Sequence, residues 1–267
     1  MSRLKLVFVS VLALGSLLLP SLGNAHEFWI EARDAGTDSN PGLAVHLYVG
    51  ETFQGEEFPF DPGHLKRFEA HTEKGSDTLT GRAGRMPAGY ILDMTTEPTM
   101  LIYTSRGSEI ALDPVKFQDY LKEDGLDHML ASFDASTKGP VRERFKRNCK
   151  TLVLPEGTGG GELSSKVFGL ELEIVPVEEY DTFLRGDMVE VEVLFQGLPL
   201  AGASIFATSK SDPDESQRLT TNEKGRATFK LTHEGLTMFR LVHMEPAKDT
   251  DGIDYQSHWS TLIVPVS

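Results

Sequence analysis

The chain is poor in cysteine, tryptophan and positive charge, and each shortage narrows what it can be. A single cysteine, Cys149, among 267 residues excludes an intrachain disulfide, so stability has to come from packing. Two tryptophans, Trp29 and Trp259, are poor material for an extended aromatic face. Lys and Arg number 26 against 40 Asp and Glu, a formal net charge of −14. That balance argues against nucleic acid and anionic membrane as partners and favours attraction of cations. Beyond residue 25 no apolar run approaches the roughly 20 residues that span a bilayer, so no membrane insertion is expected of the processed chain. The sequence has no G-x-S-x-G, no H-E-x-x-H, no P-loop and no G-x-G-x-x-G after a strand. Gly159-Gly160-Gly161 lacks the Lys-Ser/Thr of a phosphate loop. Forty carboxylates are too many for spacing to single out a catalytic pair, so no reaction is read from the sequence.

What is present begins with a leader. Arg3 and Lys5 precede an apolar stretch from Leu6 to Leu19, Pro20 breaks it, and Gly23-Asn24-Ala25 supplies small residues for cleavage. Residues 1–25 read as a signal peptide, which implies export to the periplasm. No lipobox cysteine stands at the cleavage site, so no lipid anchor is expected. Loss of Arg3 and Lys5 with the leader takes the net charge to −16. Cleavage after Ala25 makes His26 the first residue, with two nitrogens to offer: the free α-amine and ring Nδ1. Together they can close a chelate ring on a transition metal, which the precursor's amide nitrogen cannot. The amino-terminal copper/nickel chelate that needs His at position three is excluded, because that position is Phe28.

The rest divides into three parts. Residues 26–154 read as a β-rich N-terminal domain ending in short helices, 155–169 as a glycine-rich linker, and 170–267 as a Greek-key β-sandwich domain. The expected fold class is mainly β, with two immunoglobulin- or prealbumin-like sandwiches and a few short helices between them. Leu43, Val45, Leu47 and Val49 alternate with His46 and Tyr48, and Val189, Val191, Val193 and Phe195 alternate with Glu190 and Glu192. Residues 51–64 read as a long loop. Asp113-Pro114 is an N-cap with Pro at N1, and Gly125 provides a stop. A second helix is expected over 126–133 and a third over 141–152, where Glu143 and Arg147 have i,i+4 spacing and the cations form a solvated face. Cys149 would then be a packed helix cysteine rather than a nucleophile.

A metal held by His26 needs more donors, and imidazole suits nickel, cobalt and copper. His243 sits in the apolar strand Phe239–Met244 and His258 precedes Trp259 in the last strand, so both are candidate metal ligands beside His26. A satisfied core histidine is the competing explanation of His243. His46 sits on the polar face of its strand, and His64, His71, His128 and His233 read as solvated.

The start His26-Glu27-Phe28-Trp29-Ile30-Glu31, the strand end Val49-Gly50-Glu51, the run Arg142 to Lys150, Leu172 to Pro176, Gly197 to Gly202, Leu241 to Met244 and the closing Ser257 to Leu262 form an ordered set. This set resembles the DUF4198 family, periplasmic proteins similar to the NikM-type components of nickel and cobalt uptake. The resemblance implies an exported β-rich protein handling nickel or cobalt, with the metal ion and a membrane metal transporter as partners. It also implies the family's first-residue histidine at His26 and its strand histidine at His243. Two other functions compete. A copper-dependent oxidative enzyme or copper carrier is similar in having an N-terminal histidine on an immunoglobulin-like sandwich. A structural or adhesion sandwich would need no metal.

Overall fold

The computed structural model describes residues 27–35, 42–92, 97–248 and 252–267. Residues 1–26, which hold the expected leader and His26, lie outside them. The fold is mainly β, with three short helices among the described residues. Its spine is a nine-stranded sheet in the order β14 (Asp212–Thr220), β13 (Ser204–Ser209), β16 (Gly235–Pro246), β17 (Tyr255–Val266), β9 (Val141–Val153), β7 (Thr99–Ser105), β4 (Leu65–Thr72), β5 (Gly75–Thr78). A ninth strand, β8 (Ser108–Leu112), also pairs with β9. Strands from the two halves of the chain meet where β17 runs parallel to β9, from Tyr255 opposite Glu143 to Ile263 opposite Thr151.

A four-stranded sheet covers each face of this spine. One holds β1 (Glu27–Asp34), β2 (Gly42–Glu51), β3 (Gln54–Phe58) and β6 (Gly89–Leu92). The other holds β10 (Leu172–Pro176), β11 (Met188–Phe195), β12 (Leu198–Pro199) and β15 (Arg226–Lys230). The alternation in β2 buries Val45 and Leu47 with Phe28 and Ile30 against Leu101, Tyr103 and Cys149. The alternation in β11 buries Val189, Val191 and Val193 against Leu241, Leu262 and Val264 on the opposite face. A sheet covered on both sides has to be apolar on both, so the middle strands lose their alternation. Every residue of β7 is buried.

Helix α1 (Pro114–Glu123) starts where expected, with the Asp113 side chain accepting the Val115 N–H at 2.9 Å. Gly125 follows at φ +68°. With α2 (Asp127–Leu130) it covers the spine beside β1, placing Phe117, Tyr120 and Leu126 on Val242, Met244 and Trp259. The glycine-rich stretch 155–169 carries α3 (Gly161–Ser165), whose Leu163 joins the core. No described helix is long and apolar enough to cross a membrane.

Two expectations fail. Residues 141–152 are not a helix but most of the thirteen-residue strand β9. The charges with i,i+4 spacing share a face of the strand but meet different partners: Glu143 is fully buried beneath α1, and the Arg147 guanidinium lies 4.6 Å over the Phe28 ring. Lys150, from the same run, is buried and donates to Glu173 at 2.7 Å. Long-range partners for each charge overrode a locally helical pattern. Cys149 therefore lies on a central strand. Burial pushes its thiol up to about 12, and Sγ donates to the Phe28 carbonyl at 3.1 Å, so it is unreactive.

The second failure is the loop over 51–64, which contains β3. Gly50 and Gly55 face each other so closely that a Cβ on Gly50 would lie 2.1 Å from the Gln54 carbonyl oxygen. This approach permits a two-residue turn made of Thr52 and Phe53, both left-handed at φ 46° and 64°. Asn-Gly is the usual content of such a turn, and nothing in Thr-Phe announces it.

Candidate functional site

β1 starts with Glu27, whose carboxylate is almost wholly buried (4% exposed) and forms part of the wall of a 140 Å³ cavity. β1 brings Glu27 there, the β2–β3 turn brings Glu51 and Thr52, the end of α1 brings Glu123 and Asp124, and β16 brings Arg240. Four carboxylates thus share the cavity with one guanidinium. Arg240 bridges two of them, with Nε 2.5 Å from Glu27 Oε1 and Nη1 donating to Asp124 Oδ1 at 2.9 Å. Its guanidinium also lies 4.2 Å over the Phe206 ring. Glu27 Oε2 accepts the Thr52 N–H at 2.7 Å.

One cation cannot neutralise two buried carboxylates, and the protonation equilibria reflect this. Burial raises Asp124 to about 7 despite Arg240, and burial likewise raises Glu27. The turn at the cavity edge holds two non-glycine residues at positive φ, each at a cost of about 1–3 kcal/mol. Such strain collects at functional sites. Phe53 offsets part of it by packing edge-on against Trp29, ring centroids 5.9 Å apart.

Tyr120 and Trp259 line the same cavity, stacked at 5.7 Å. Behind them the Tyr120 hydroxyl donates to Glu143 Oε1 at 3.1 Å, Ser257 Oγ donates to the same oxygen, and Trp259 Nε1 donates to Ser257 Oγ at 3.2 Å. Glu143 Oε2 is buried with no partner among the described residues, and burial raises this carboxyl to about 7. A group with this environment takes and gives up a proton near neutrality.

The histidines expected as ligands sit elsewhere. His243 and His258 are register partners in the β16–β17 ladder and share a face. That face is opposite to the one carrying Arg240, because strand side chains alternate. The ladder therefore separates these two imidazoles from the cavity at Glu27. The Phe195 ring lies 4.4 Å from the His243 ring and 5.1 Å from the His258 ring. His258 is 2% exposed, with Nδ1 3.3 Å from Glu171 Oε2 and Nε2 3.2 Å from the Gln256 amide nitrogen. Burial lowers it to about 4, and burial lowers His243 as well.

His128, read as solvated, stacks on His243 at 6.2 Å and faces the Met244 carbonyl at 3.2 Å. His46, His64 and His71 each pair with a carboxylate at 2.7 Å. Asp212, Glu215 and His233 bring ligand atoms within 4.8 Å of one another on a partly exposed surface. Trp29 is 1% and Trp259 6% exposed, so neither tryptophan offers a flat binding face. Sequence reasoning does not find Asp124, Glu143, Thr52 or Arg240. Only Arg240 leaves a trace there, as a lone charge inside the apolar run Met238–Val242.

A family model described as a domain of unknown function, DUF4198, matches residues 23–245, and the chain belongs to that family. No curated protein matches the chain, and no solved structure matches it.

Proposed function

We propose that this DUF4198 protein is an exported transition-metal-binding protein that holds its ion through His26 as the first residue of the processed chain. The observation that carries the reading is the cavity at the head of β1. A chain cut after Ala25 begins one residue before Glu27, whose carboxylate lines that cavity with Asp124. The α-amine and imidazole of His26 supply the nitrogen chelate, and the acidic wall supplies negative charge and oxygen donors. Carboxyls raised by burial release protons as a cation arrives, which couples capture to pH. A soluble component of nickel or cobalt uptake, handing its ion to a membrane transporter in the periplasm, fits such an exchangeable site.

The copper alternative draws less support, because both tryptophans are buried and a sugar-oxidising enzyme needs an aromatic face beside its metal. A structural sandwich without metal is the other alternative, and failure to bind any divalent metal would favour it.

The test is a titration with Ni(II), Co(II) and Cu(II) of the chain starting at His26, beside a copy with one extra Met in front. The chain starting at His26 should bind one equivalent more than the extended copy, and that equivalent should weaken as pH falls from about 8 to 6. Equal stoichiometry in the two copies overturns the reading.

A further inference from the structure

The spine ends at its edge strand β14, and the hairpin that joins β14 to β13 carries an irregularity that groups three donors. Ser204 to Thr208 pair in regular register with Thr220 to Ser216, but Ser209 then pairs with Asp212. Pro213, Asp214 and Glu215 are left without partners on β13. Bulges of this kind at a sheet edge re-aim side chains. Pro213, which has no N–H to offer the ladder, suits the unpaired stretch. The bulge brings the Asp212 and Glu215 carboxylates together, and His233 joins them from the connection between β15 and β16. One ligand atom from each of the three lies within 4.8 Å of the other two.

The segment that carries His233 is fixed on both sides. Gln217 Nε2 donates to the Lys230 carbonyl at 2.8 Å, Arg185 Nε to the Thr232 carbonyl at 3.1 Å, and Ser211 Oγ to the Glu234 carbonyl at 2.7 Å. His233 Nδ1 lies 3.0 Å from Thr232 Oγ1. An imidazole that donates from Nδ1 keeps a free lone pair on Nε2, the usual state of a metal-bound histidine. Nε2 faces Asp212 Oδ2 at 3.7 Å, beyond hydrogen-bond reach. His46, His64 and His71, by contrast, each close on their carboxylate at 2.7 Å. A nitrogen and a carboxylate oxygen held apart in this way leave room for a cation between them. Bonds of about 2.0–2.2 Å set the ligand atoms of one ion roughly 3–4 Å apart, so these side chains need to close by only about an ångström. Among the described residues no Lys or Arg pairs with Asp212 or Glu215, so no side-chain cation already fills the place.

We infer that Asp212, Glu215 and His233 form a second cation site, separate from the cavity at Glu27, that takes one divalent transition-metal ion of the zinc type. One imidazole and two carboxylates are a ligand set that Zn(II) accepts, with water in the open position. The nitrogen donor disfavours Mg(II) and Ca(II), which take oxygen. The site does not depend on the His26 chelate. An ion bound there ties the edge strand of the spine to the β15–β16 connection, beside the links already made by Gln217 and Ser211.

The test uses the full processed chain with an extra Met before His26, which removes the amine chelate, and Zn(II) as the probe in a calorimetric titration. One Zn(II) per chain should bind. His233→Ala and Asp212→Asn should each abolish that binding, and Glu215→Gln should weaken it by about tenfold or more. Asp214→Asn, which removes a neighbouring charge outside the ligand set, should leave the affinity within about twofold of the parent chain. Far-UV circular dichroism checks that each variant is folded. The unsubstituted Met-extended chain gives a second readout, because Co(II) in the same place should shift the ring protons of His233 in the proton NMR spectrum. Three results overturn the inference: no Zn(II) bound by the Met-extended chain, binding that survives His233→Ala, or Asp214→Asn as damaging as Asp212→Asn. The His26 reading stands or falls separately, on the extra equivalent bound by the chain without the Met.

Discussion

The two faces of the β16–β17 ladder solve the burial of polar groups in opposite ways. On the Glu27 face, carboxylates are buried around one guanidinium, and burial raises Asp124 and Glu143 to about 7. On the Phe195 face, imidazoles are buried and His258 falls to about 4. Low dielectric disfavours the charged form in both cases, so acids go up and bases go down. The consequences for stability have opposite signs. A raised carboxyl binds its proton more tightly in the folded chain, so its contribution fades as pH rises from about 4.5 to 7. A lowered imidazole leaves the unfolded chain with the extra proton, so its contribution grows as pH rises from about 4 to 6.5. One thin ladder thus carries an oxygen-rich environment that titrates around pH 7 and a nitrogen-rich one that is neutral there.

The largest expected effect breaks the first of these environments. Arg240→Ala leaves Glu27 and Asp124 buried without their shared cation and should cost about 3–5 kcal/mol in urea unfolding at pH 8. The cost should shrink at pH 5, where Asp124 holds its proton. A loss under about 1 kcal/mol at pH 8 would mean that the two acids are already neutral there.

A middle-sized effect sharpens the pH contrast. Glu143→Gln removes one raised carboxyl and should flatten the decline of stability between pH 5 and 8 by about 1–2 kcal/mol, since a tenfold difference in proton affinity between folded and unfolded chain is worth about 1.4 kcal/mol. Identical slopes for the variant and the parent chain would show that Glu143 does not titrate in that window.

The smallest effect concerns the strained turn. Thr52→Gly relieves a left-handed non-glycine residue and should stabilise the fold by about 0.5–1 kcal/mol. The same change keeps the residue-52 N–H but lets the turn that carries it move, so Glu27 is held less firmly and metal binding by the chain starting at His26 should weaken. Stabilisation with unchanged affinity would separate the turn from the site.

Much of the outer architecture could be read from the sequence because outer strands have one wet face. The alternation of β2 and β11 and the Asp113-Pro114 cap of α1 each follow from contacts within a few residues. The spine was harder. In β9 every second residue meets one covering layer and the rest meet the other, so Glu143 and Lys150 are withdrawn from water and Arg147 partly so, each by different partners. A charged run with that fate looks like a solvated helix until its partners are known. The cavity at Glu27 was illegible for a related reason. Its walls come from β1, the β2–β3 turn, α1, β16 and β17, more than two hundred residues apart at the extremes, and nothing local marks four of forty carboxylates as its own.

By itself the sequence determined the class of the fold, the family and the residue types available for chemistry, because composition and period are properties of short windows. Only the tertiary structure decided which of those residues share an environment. It put Glu27 and Asp124 on one guanidinium, set His243 beside His258 under Phe195, and laid a sheet between the two groups. The physical reason is that strand register and the packing of layers bring together side chains distant in sequence, and a side chain's charge state depends on the company it keeps.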